Sequence, residues 1–264
     1  MSKKKKRKSG NKAIVVLTVV FFVAGFYAGG YFSGMRLQNF RFVKSCSITI
    51  DNLKIGQKIF LDESSLGNAT ENGKMVFSGI TPGKHNLIVT KNAYWPWAKE
   101  ITLASSGRVS FNPFLLAQIP NVEILTLDNK NFQNLKDSIE VSMLPSADNP
   151  AKSSDGSALL WLDGSSVMVK SPKSPLPEYF CNPDCADTLN ILNASTDIKD
   201  VSFFPNRSDL VVFSTFEGIF VIEVDGRGIR NFQPLYKGEF INFKVLDDKL
   251  YVLVTPEKIY NIIP

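Results

Sequence analysis

The sequence predicts a mainly β protein with one N-terminal transmembrane helix. Three observations carry this prediction: an uncharged apolar run at 13–35, alternation of apolar and polar residues at 43–104, and hairpin-like segments at 121–264. The chain has 264 residues, which is enough for two β domains that each bury a core. We therefore expect a small β-sandwich and a second β region, with a membrane segment in front of both.

The positive charge of the chain is concentrated before the apolar run. The formal net charge is +5, and the tail at 1–12 contains seven of the 30 basic residues. These seven are Lys3, Lys4, Lys5, Lys6, Arg7, Lys8 and Lys12. Without those seven, 23 of the 30 basic residues remain against 25 acidic ones. The rest of the chain therefore offers no basic surface for phosphates, and we expect no nucleic-acid partner.

The run at 13–35 is long enough to cross a membrane. At ~1.5 Å per residue, a helix of this length spans a hydrocarbon core of ~30 Å. A cleavable signal peptide has a shorter apolar region, roughly 7 to 15 residues, and a small-x-small cleavage motif. Here the candidate small residue Ala28 has the bulky Phe26 two positions before it. We therefore predict an uncleaved anchor that contacts the lipid bilayer.

The residues that flank the anchor predict its orientation. Seven basic residues precede it, whereas only Arg36, Arg41 and Lys44 closely follow it. Because the more positive flank stays inside, we expect a single-pass protein of the cell membrane with a cytoplasmic tail at 1–12 and extracytoplasmic domains. The tail either serves only to set the topology, or it also contacts anionic lipid or a partner.

Four glycines of the anchor have the spacing that lets membrane helices approach closely. They form the pairs Gly25 with Gly29 and Gly30 with Gly34. A weak homodimer through the membrane helix is therefore one hypothesis. The alternative is that these pairs have no role in association, because glycine is tolerated in single membrane spans.

The three cysteines are Cys46, Cys181 and Cys185. An exported chain lies where disulfides persist, and the sequence CNPDC places two thiols around a proline-containing turn. A disulfide between Cys181 and Cys185 is favoured, and free thiols are the alternative. A metal site would need two more ligands, and the chain has a single distant histidine, His85. Cys46 lies in an alternating strand and is expected to pack as a small apolar residue.

The segment at 43–104 predicts a small antiparallel β-sandwich. Its short runs alternate with period two and are separated by Asn-Gly and Pro-Gly turns. The second half resembles a PEGA domain, a surface-layer-associated β module of exported prokaryotic proteins. The matching residues of its L-x-P-G-x-H turn and of its strand ending in K-x-G-Y-x-x-W are Ile80, Pro82, Gly83, His85, Val89, Lys91, Tyr94 and Trp97.

The first half of the segment departs from this family. The four positions that give the family its name contain Lys54, Ile55, Gly56 and Gln57, so only the glycine is kept. The resemblance covers about a quarter of the chain. It implies a β fold, a location outside the cytoplasm and attachment to cell-wall or surface-layer material. It implies no common chemistry.

The C-terminal part predicts a second β region after a connector at 105–120. Hairpins with Gly or Asp turns recur in 121–264 at intervals of about 40 residues, in the range of propeller blades. The segment VSFFPNRSDLVVFS, at 201–214, resembles the strand, proline turn and strand of a WD40-like or TolB-like blade. Fewer than four such units can be counted, whereas a closed propeller generally needs at least four. We expect a β-propeller-like region that is closed or incomplete, with a second sandwich as the alternative.

The sequence contains no recognisable set of catalytic residues. The single histidine, His85, is expected to pack on the Pro-Gly turn, and no HExxH, P-loop or paired C-x-x-C motif occurs. Three acidic pairs lie at or near predicted turns, where carboxylates are ordinarily solvated. They are Asp62 with Glu63, Glu223 with Asp225, and Asp247 with Asp248. We therefore predict no catalytic residue, no metal ligand and no cofactor.

A charged group surrounds the best blade-like segment. Its members are Arg207, Asp209, Asp225, Arg227 and Arg230. The group is a structural network of ion pairs and turns, or it is a polar rim for binding.

The aromatic stretch YWPW at 94–97 contains the one candidate ligand contact. Tyr94 and Trp97 match family positions that close a core-forming strand, so we expect them to fill the small core. Trp95 lies outside the family pattern and next to Pro96, and it is the residue expected to be exposed for binding.

These observations favour a membrane-anchored extracytoplasmic binding or scaffold protein of the cell envelope, without enzymatic activity. Cell-wall material, surface-layer material and envelope proteins are the expected partners. The alternative is an envelope hydrolase, or its accessory subunit, with a site on the propeller-like region. A third hypothesis is a sensor or assembly factor, which would have to signal through a partner because the tail is so short.

Overall fold

The computed structural model describes residues 9–38, 41–181, 184–239 and 241–263, without the side chains of 9–13 and 38. Most of the predicted polybasic tail, residues 1–8, therefore lies outside the described residues. The structure is mainly β, with 50% of residues in strands and 13% in helices. The predicted fold class is confirmed at this level.

An apolar helix, α1, opens the described part of the chain at Ser9–Phe32. Its 19-residue segment Ile14–Phe32 is long and apolar enough to cross a membrane, and none of it is buried inside the protein. The helix ends before position 35, where the sequence placed its end, because Gly34 follows with a positive φ of 78°. The predicted N-terminal apolar helix is confirmed.

Among the described residues, nine strands follow α1 in the first part of the chain and form three sheets. The strands are β1 (Met35–Gln38), β2 (Arg41–Lys44), β3 (Cys46–Leu53), β4 (Lys58–Leu61), β5 (Ser64–Asn68), β6 (Gly73–Ile80), β7 (Gly83–Thr90), β8 (Trp97–Leu103) and β9 (Arg108–Phe111). The sheet orders are β1-β2, β6-β3-β9 and β5-β4-β7-β8. Strand β8 alternates strictly between buried and exposed residues, as the period-two pattern predicts.

The predicted connector at 105–120 contains part of a sheet. Its segment Arg108–Phe111 is strand β9, which pairs in parallel with β3. The alternation of Val109 and Phe111 with polar neighbours is a strand signal that Pro113 obscures. The β region at 43–104 is therefore not purely antiparallel, and it extends to residue 111.

The described residues of the C-terminal region form twelve strands and one α-helix. They are β10 (Asn121–Thr126), α2 (Phe132–Glu140), β11 (Ala151–Lys152), β12 (Leu159–Asp163), β13 (Ser166–Lys170), β14 (Thr188–Asn193), β15 (Asp200–Phe204), β16 (Arg207–Thr215), β17 (Gly218–Glu223), β18 (Phe232–Lys237), β19 (Asn242–Leu246), β20 (Lys249–Thr255) and β21 (Lys258–Ile263). A 3₁₀ turn lies at Glu178–Phe180.

These strands form three four-stranded antiparallel sheets. Two are meanders in chain order, β11-β12-β13-β14 and β15-β16-β17-β18. In the third, β19-β20-β21, the first strand of the region, β10, pairs with the last, β21. Among the described residues, no sheet closes on itself. A buried cluster that includes Leu160, Val169, Val211 and Ile222 forms a core from residues of the first two sheets.

Helix α2 was not predicted, because the whole region read as β. Its apolar residues Phe132, Leu135 and Ile139 have helical spacing, and they pack on Ile259 of β21. The helix covers one face of the third sheet.

The chain divides into two compact units. The first contains Met1–Asn52, Gly73–His85 and Thr102–Asn112, and the second contains Leu53–Asn72, Asn86–Ile101 and Pro113–Pro264. The division passes through β7 and β8, so it does not coincide with the predicted boundary near 105–120. All three C-terminal sheets belong to the second unit.

Candidate functional site

A cleft of about 280 Å³ lies in the second unit, where β11, β15 and β19, one strand from each C-terminal sheet, meet. It is lined by residues 142–145, 149–151, 200–202 and 243–245. The last three segments fall at the starts of β11, β15 and β19, whereas the first follows α2. The volume is at the lower end of the range for small-ligand sites.

Asp200 is the acidic residue among the described residues that line this cleft. It is the first residue of β15 and is only 4% exposed. Burial raises the pKa of Asp200 to about 6, although the Phe243 N–H, the Ser142 hydroxyl and the Lys244 charge all act to lower it. The Phe243 amide donates to Asp200 Oδ2 at 3.2 Å. A carboxyl group with this raised pKa changes its protonation state near pH 6.

Two further polar groups stand beside Asp200. Lys244, on β19, donates from Nζ to the Ser142 hydroxyl oxygen at 3.4 Å. Ser214 pairs directly with Asp200 across β15 and β16, and its buried hydroxyl has no hydrogen-bond partner among the described residues. Ser214 does not line the cleft, so the polar side chains that a ligand would meet there include Asp200, Lys244 and Ser142.

The cleft combines these polar groups with apolar walls. Met143 and Leu144 extend the wall formed by Val201 and Val245, and Met143 is 84% exposed. Among the described lining residues Asp200 is the one carboxylate. Hydrolysis of a glycoside by the usual route needs two carboxyl groups roughly 5 to 9.5 Å apart, so the lining fits binding better than that reaction.

Neither Asp200 nor Lys244 was a candidate in the sequence. Asp200 directly precedes the apolar strand VSFF, which is a weak signal because acidic residues commonly precede strands. The proximity of Ser142, Asp200 and Lys244 depends on β15, β19 and the segment after α2 coming together, and no local pattern contains that information.

A second charged site lies between β8 and the end of β17, and it is closed. Lys99 Nζ lies 2.8 Å from Glu223 Oε1 and 3.7 Å from Asp225 Oδ1, and its side chain is fully buried. The same ammonium donates to the Asp225 and Arg227 carbonyl oxygens, each at 2.8 Å. Asn231 donates to Glu223 from its backbone N–H at 2.6 Å and from its side chain at 2.8 Å.

The expectation that Glu223 and Asp225 are solvated was wrong. Both are buried, at 4% and 8% exposure, because β8 places Lys99 against them. Burial raises the pKa of Glu223 more than Lys99 and Asn231 lower it. The other two acidic pairs do form turns: all four of their residues have positive φ angles, between the ends of β4 and β5 and of β19 and β20.

The charged group predicted around the best blade divides into two networks. Arg207 binds Asp209 through paired contacts of 2.6 and 2.8 Å. Arg227 binds Asp225 at 2.8 Å and reaches Glu178 at 3.3 Å. Arg230 is part of the second network, where burial lowers the pKa of its guanidinium and Glu223 and Asp225 raise it. These contacts form structural ion pairs around the closed site.

The two tryptophans of the aromatic stretch have different environments. Trp97 is 1% exposed, and its indole Nε1 donates to Glu223 Oε2 at 3.0 Å. Trp97 is buried as expected, and its hydrogen-bond acceptor Glu223 belongs to the sheet β15-β16-β17-β18. Trp95 is half-buried, and its backbone N–H donates to the Leu116 carbonyl oxygen at 2.9 Å. Tyr94, expected in the core, is half-buried, with the Lys91 ammonium 4.9 Å from its ring centre. Trp95 does not line the cleft.

Histidine and the cysteines occupy separate places. His85 is buried on the Pro-Gly turn, with Nε2 2.7 Å from the Thr81 carbonyl oxygen. Cys181 and Cys185 form a disulfide, and Cys46 is free and buried. Within the part of the chain that the structure describes, no three His, Cys, Asp or Glu residues group in a way that could hold a metal ion.

Comparisons with known proteins give little further information. No protein-family model and no curated protein match the sequence. Among solved structures, the chain is similar to a protein of unknown function from Bacteroides fragilis, described provisionally as membrane-associated. The identity is 11%, the match covers 83% of this chain and 94% of the other, and the TM-score is 0.20. A TM-score this low carries no argument about fold or function.

Proposed function

We propose that the chain is a membrane-anchored binding protein of the cell envelope whose extracytoplasmic β region holds a ligand in the Asp200 cleft. The observation that carries the proposal is the cleft itself, where three sheets place a buried carboxylate, an ammonium group and apolar walls together. Convergent polar groups and a perturbed pKa in a concave site are typical of ligand binding.

The anchor is the second part of this proposal. Helix α1 is apolar and unburied, and the basic flank at 1–12 favours a cytoplasmic N-terminus. We propose a single pass, a PEGA-like module after it, and an incomplete propeller-like region built from the three C-terminal sheets. The three four-stranded antiparallel sheets support the last point, since propeller blades are four-stranded sheets.

Cell-wall material, surface-layer material or an envelope protein is the proposed partner. The test is retention of the purified full-length chain on isolated envelope fractions. Ser202→Trp fills the cleft from β15 and should lower retention by roughly tenfold, which corresponds to about 1.4 kcal/mol of binding free energy. The matched control is Ser195→Trp, the same change at an exposed position of the second unit. Equal retention of both variants would remove the cleft from the proposal.

Trp95 offers an independent test of the aromatic stretch. If the half-buried Trp95 stacks on a sugar ring, the Trp95→Ala protein should be retained less on wall polymer than the wild type. If Trp95→Ala binds as well as the wild type while Ser202→Trp does not, the cleft is the binding site and the stretch at 94–97 is scaffold.

A further inference from the structure

A short hairpin follows the membrane helix and folds back along it. Strands β1 and β2 pair in antiparallel fashion, with Met35 opposite Lys44 and Leu37 opposite Phe42. The hairpin is held to the end of the helix by Ser45, whose backbone N–H and hydroxyl both donate to the Gly34 carbonyl oxygen, at 3.0 and 2.7 Å.

Phe42 packs directly on the last turns of α1. Its ring centre lies 5.2 Å from that of Phe26 and 5.7 Å from that of Tyr27. Gly30 lies under the same ring, and a Cβ atom added there would fall 2.5 Å from it. Gly30 therefore provides space for Phe42. The proposed pair of Gly30 with Gly34 is not a helix face, because Gly34 lies beyond the end of α1.

These contacts fix the depth of the hairpin relative to the helix. Phe26 lies six residues before the helix end at Phe32. At ~1.5 Å per residue, the hairpin reaches about 9 Å back from the end of α1. If about 20 residues after Lys12 fill a ~30 Å hydrocarbon core, this core ends close to Phe32. The base of the hairpin, where Met35 pairs with Lys44, then lies at the boundary between acyl chains and headgroups, and Phe42 packs on α1 about 9 Å inside this boundary.

The chemistry of the hairpin suits that depth. Directly opposite residues share a face, so Leu37 joins Phe42 on the side toward the helix, and Leu37 is 44% exposed. Lys44 is exposed and cationic at the base of the hairpin, and the exposed Arg41 has a side chain long enough to extend its guanidinium toward the headgroups. Arg36 is held in place, since its Nε donates to the Gly79 carbonyl oxygen at 3.0 Å and its guanidinium lies 4.1 Å from the centre of the Tyr31 ring.

We infer that this hairpin is an interfacial membrane element that inserts Leu37 and Phe42 among acyl chains and binds anionic phospholipid headgroups through Arg41 and Lys44. The inference rests on the proposed anchoring by α1. Cations beside a membrane span attract anionic lipids, and apolar side chains on the same element stabilise it at the interface. The hairpin would then fix the height at which the following domains stand above the membrane.

The test uses the full chain in vesicles and a fluorophore on a single introduced cysteine. Leu37→Cys in a Cys46→Ser background reports on the hairpin, Phe22→Cys reports on the middle of α1, and Asp248→Cys reports on an exposed turn of the second unit. Quenching is measured with bromine on the acyl chains of phosphatidylcholine or of phosphatidylglycerol at equal mole fraction. We expect quenching at positions 22 and 37 and none at 248.

Local enrichment of anionic lipid is the second readout. The site at 37 should be quenched about twofold or more by brominated phosphatidylglycerol relative to phosphatidylcholine, given the attraction of juxtamembrane cations for anionic lipids. Arg41→Gln with Lys44→Gln should return this ratio to about one, whereas Lys249→Gln with Lys258→Gln, both exposed in the second unit, should leave it unchanged. The signal is local, so the basic tail in the opposite leaflet does not contribute.

The outcomes separate this inference from the proposed function. Quenching at 22 without quenching at 37 would overturn the hairpin inference and leave the anchor intact. Equal quenching by the two lipids at 37 would overturn the headgroup binding. An unquenched label at 22 would overturn the anchoring itself, and the hairpin inference would fail with it.

Discussion

Glu223 and Asp200 are carboxylates of the same four-stranded sheet, and both are almost fully buried, yet the protein satisfies them to different degrees. Glu223 receives the Lys99 ammonium, the Trp97 indole and two groups of Asn231. Asp200 receives the Phe243 amide and the Ser142 hydroxyl, and it faces a cleft.

This difference separates a structural role from a binding role. A buried charge whose partners are complete gains nothing from a ligand, because its hydrogen-bonding capacity is used inside the protein. A buried carboxylate with few partners retains capacity for a donor from outside. The same residue type in one sheet is therefore a structural group at Glu223 and a candidate binding group at Asp200.

The largest expected effect is at the closed site. Lys99→Ala removes the ammonium and leaves the buried Glu223 without its cationic partner, so we expect the free energy of unfolding to fall by about 3 to 5 kcal/mol. Urea denaturation of the detergent-solubilised full chain measures this change. The double variant Lys99→Met with Glu223→Gln removes both charges and should recover much of the loss. A Lys99→Ala protein as stable as the wild type would show that the closed site does not stabilise the fold.

Trp97→Phe tests one hydrogen bond of the closed site. The variant keeps most of the buried aromatic area and removes the indole donor to Glu223, so it should cost about 1 to 3 kcal/mol. The same denaturation experiment measures it, with Trp161→Phe as a matched control on β12. A loss in the control equal to that of Trp97→Phe would assign the effect to ring volume, since no hydrogen bond to Glu223 is involved at Trp161.

Asp200→Asn tests the Asp200 cleft, and this variant should raise the free energy of unfolding, whereas the two preceding variants lower it. Because the folded pKa of about 6 lies above the ordinary value of 3.8, ionisation of Asp200 opposes folding. This opposition grows as the pH rises from about 4 to 6, is complete above that range, and is absent below it. Asparagine still accepts from the Phe243 amide, so the variant should be about 1 to 3 kcal/mol more stable at pH 7.5 and equal to the wild type near pH 3.5. Unfolding curves at several pH values measure the difference, and a difference that does not change with pH would contradict the raised pKa.

The sequence predicts these two sites only in part, because the residues of each site are far apart along the chain. The period-two pattern of WAKEITL places Lys99 on the buried side between Trp97 and Ile101, so a buried lysine was visible in principle. The positive-φ turns at Asp62–Glu63 and Asp247–Asp248 were predicted as turns because they are local. The partners of Lys99 lie more than 120 residues away, at Glu223 and Asp225, and no pattern specifies such contacts.

The fold shows the same limit. The apolar helix and the β character follow from periodicity, which is a property of neighbouring residues. Helix α2 was missed because its short apolar pattern lies among strands, and strand β9 was missed because Pro113 follows it closely. The cleft requires β11, β15 and β19, which belong to three different sheets, to meet, and that arrangement is set by packing. Sequence patterns therefore predict the elements of this protein better than its sites.

The smallest expected effect is at the outer edge of the closed site. Arg227 binds Asp225 at 2.8 Å and Glu178 at 3.3 Å, but Glu178 is 59% exposed, and Asp225 keeps Lys99 as a partner when Arg227 is removed. Arg227→Gln should therefore cost less than about 1 kcal/mol, and salt should reduce the difference. Arg207→Gln is the matched control, because Arg207 forms a similar pair with Asp209 two residues away. If Arg227→Gln lowered the free energy of unfolding as much as Lys99→Ala does, the closed site would depend on its outer ion pairs as much as on its buried lysine. The contrast with Asp200 would then rest on the whole network around Glu223.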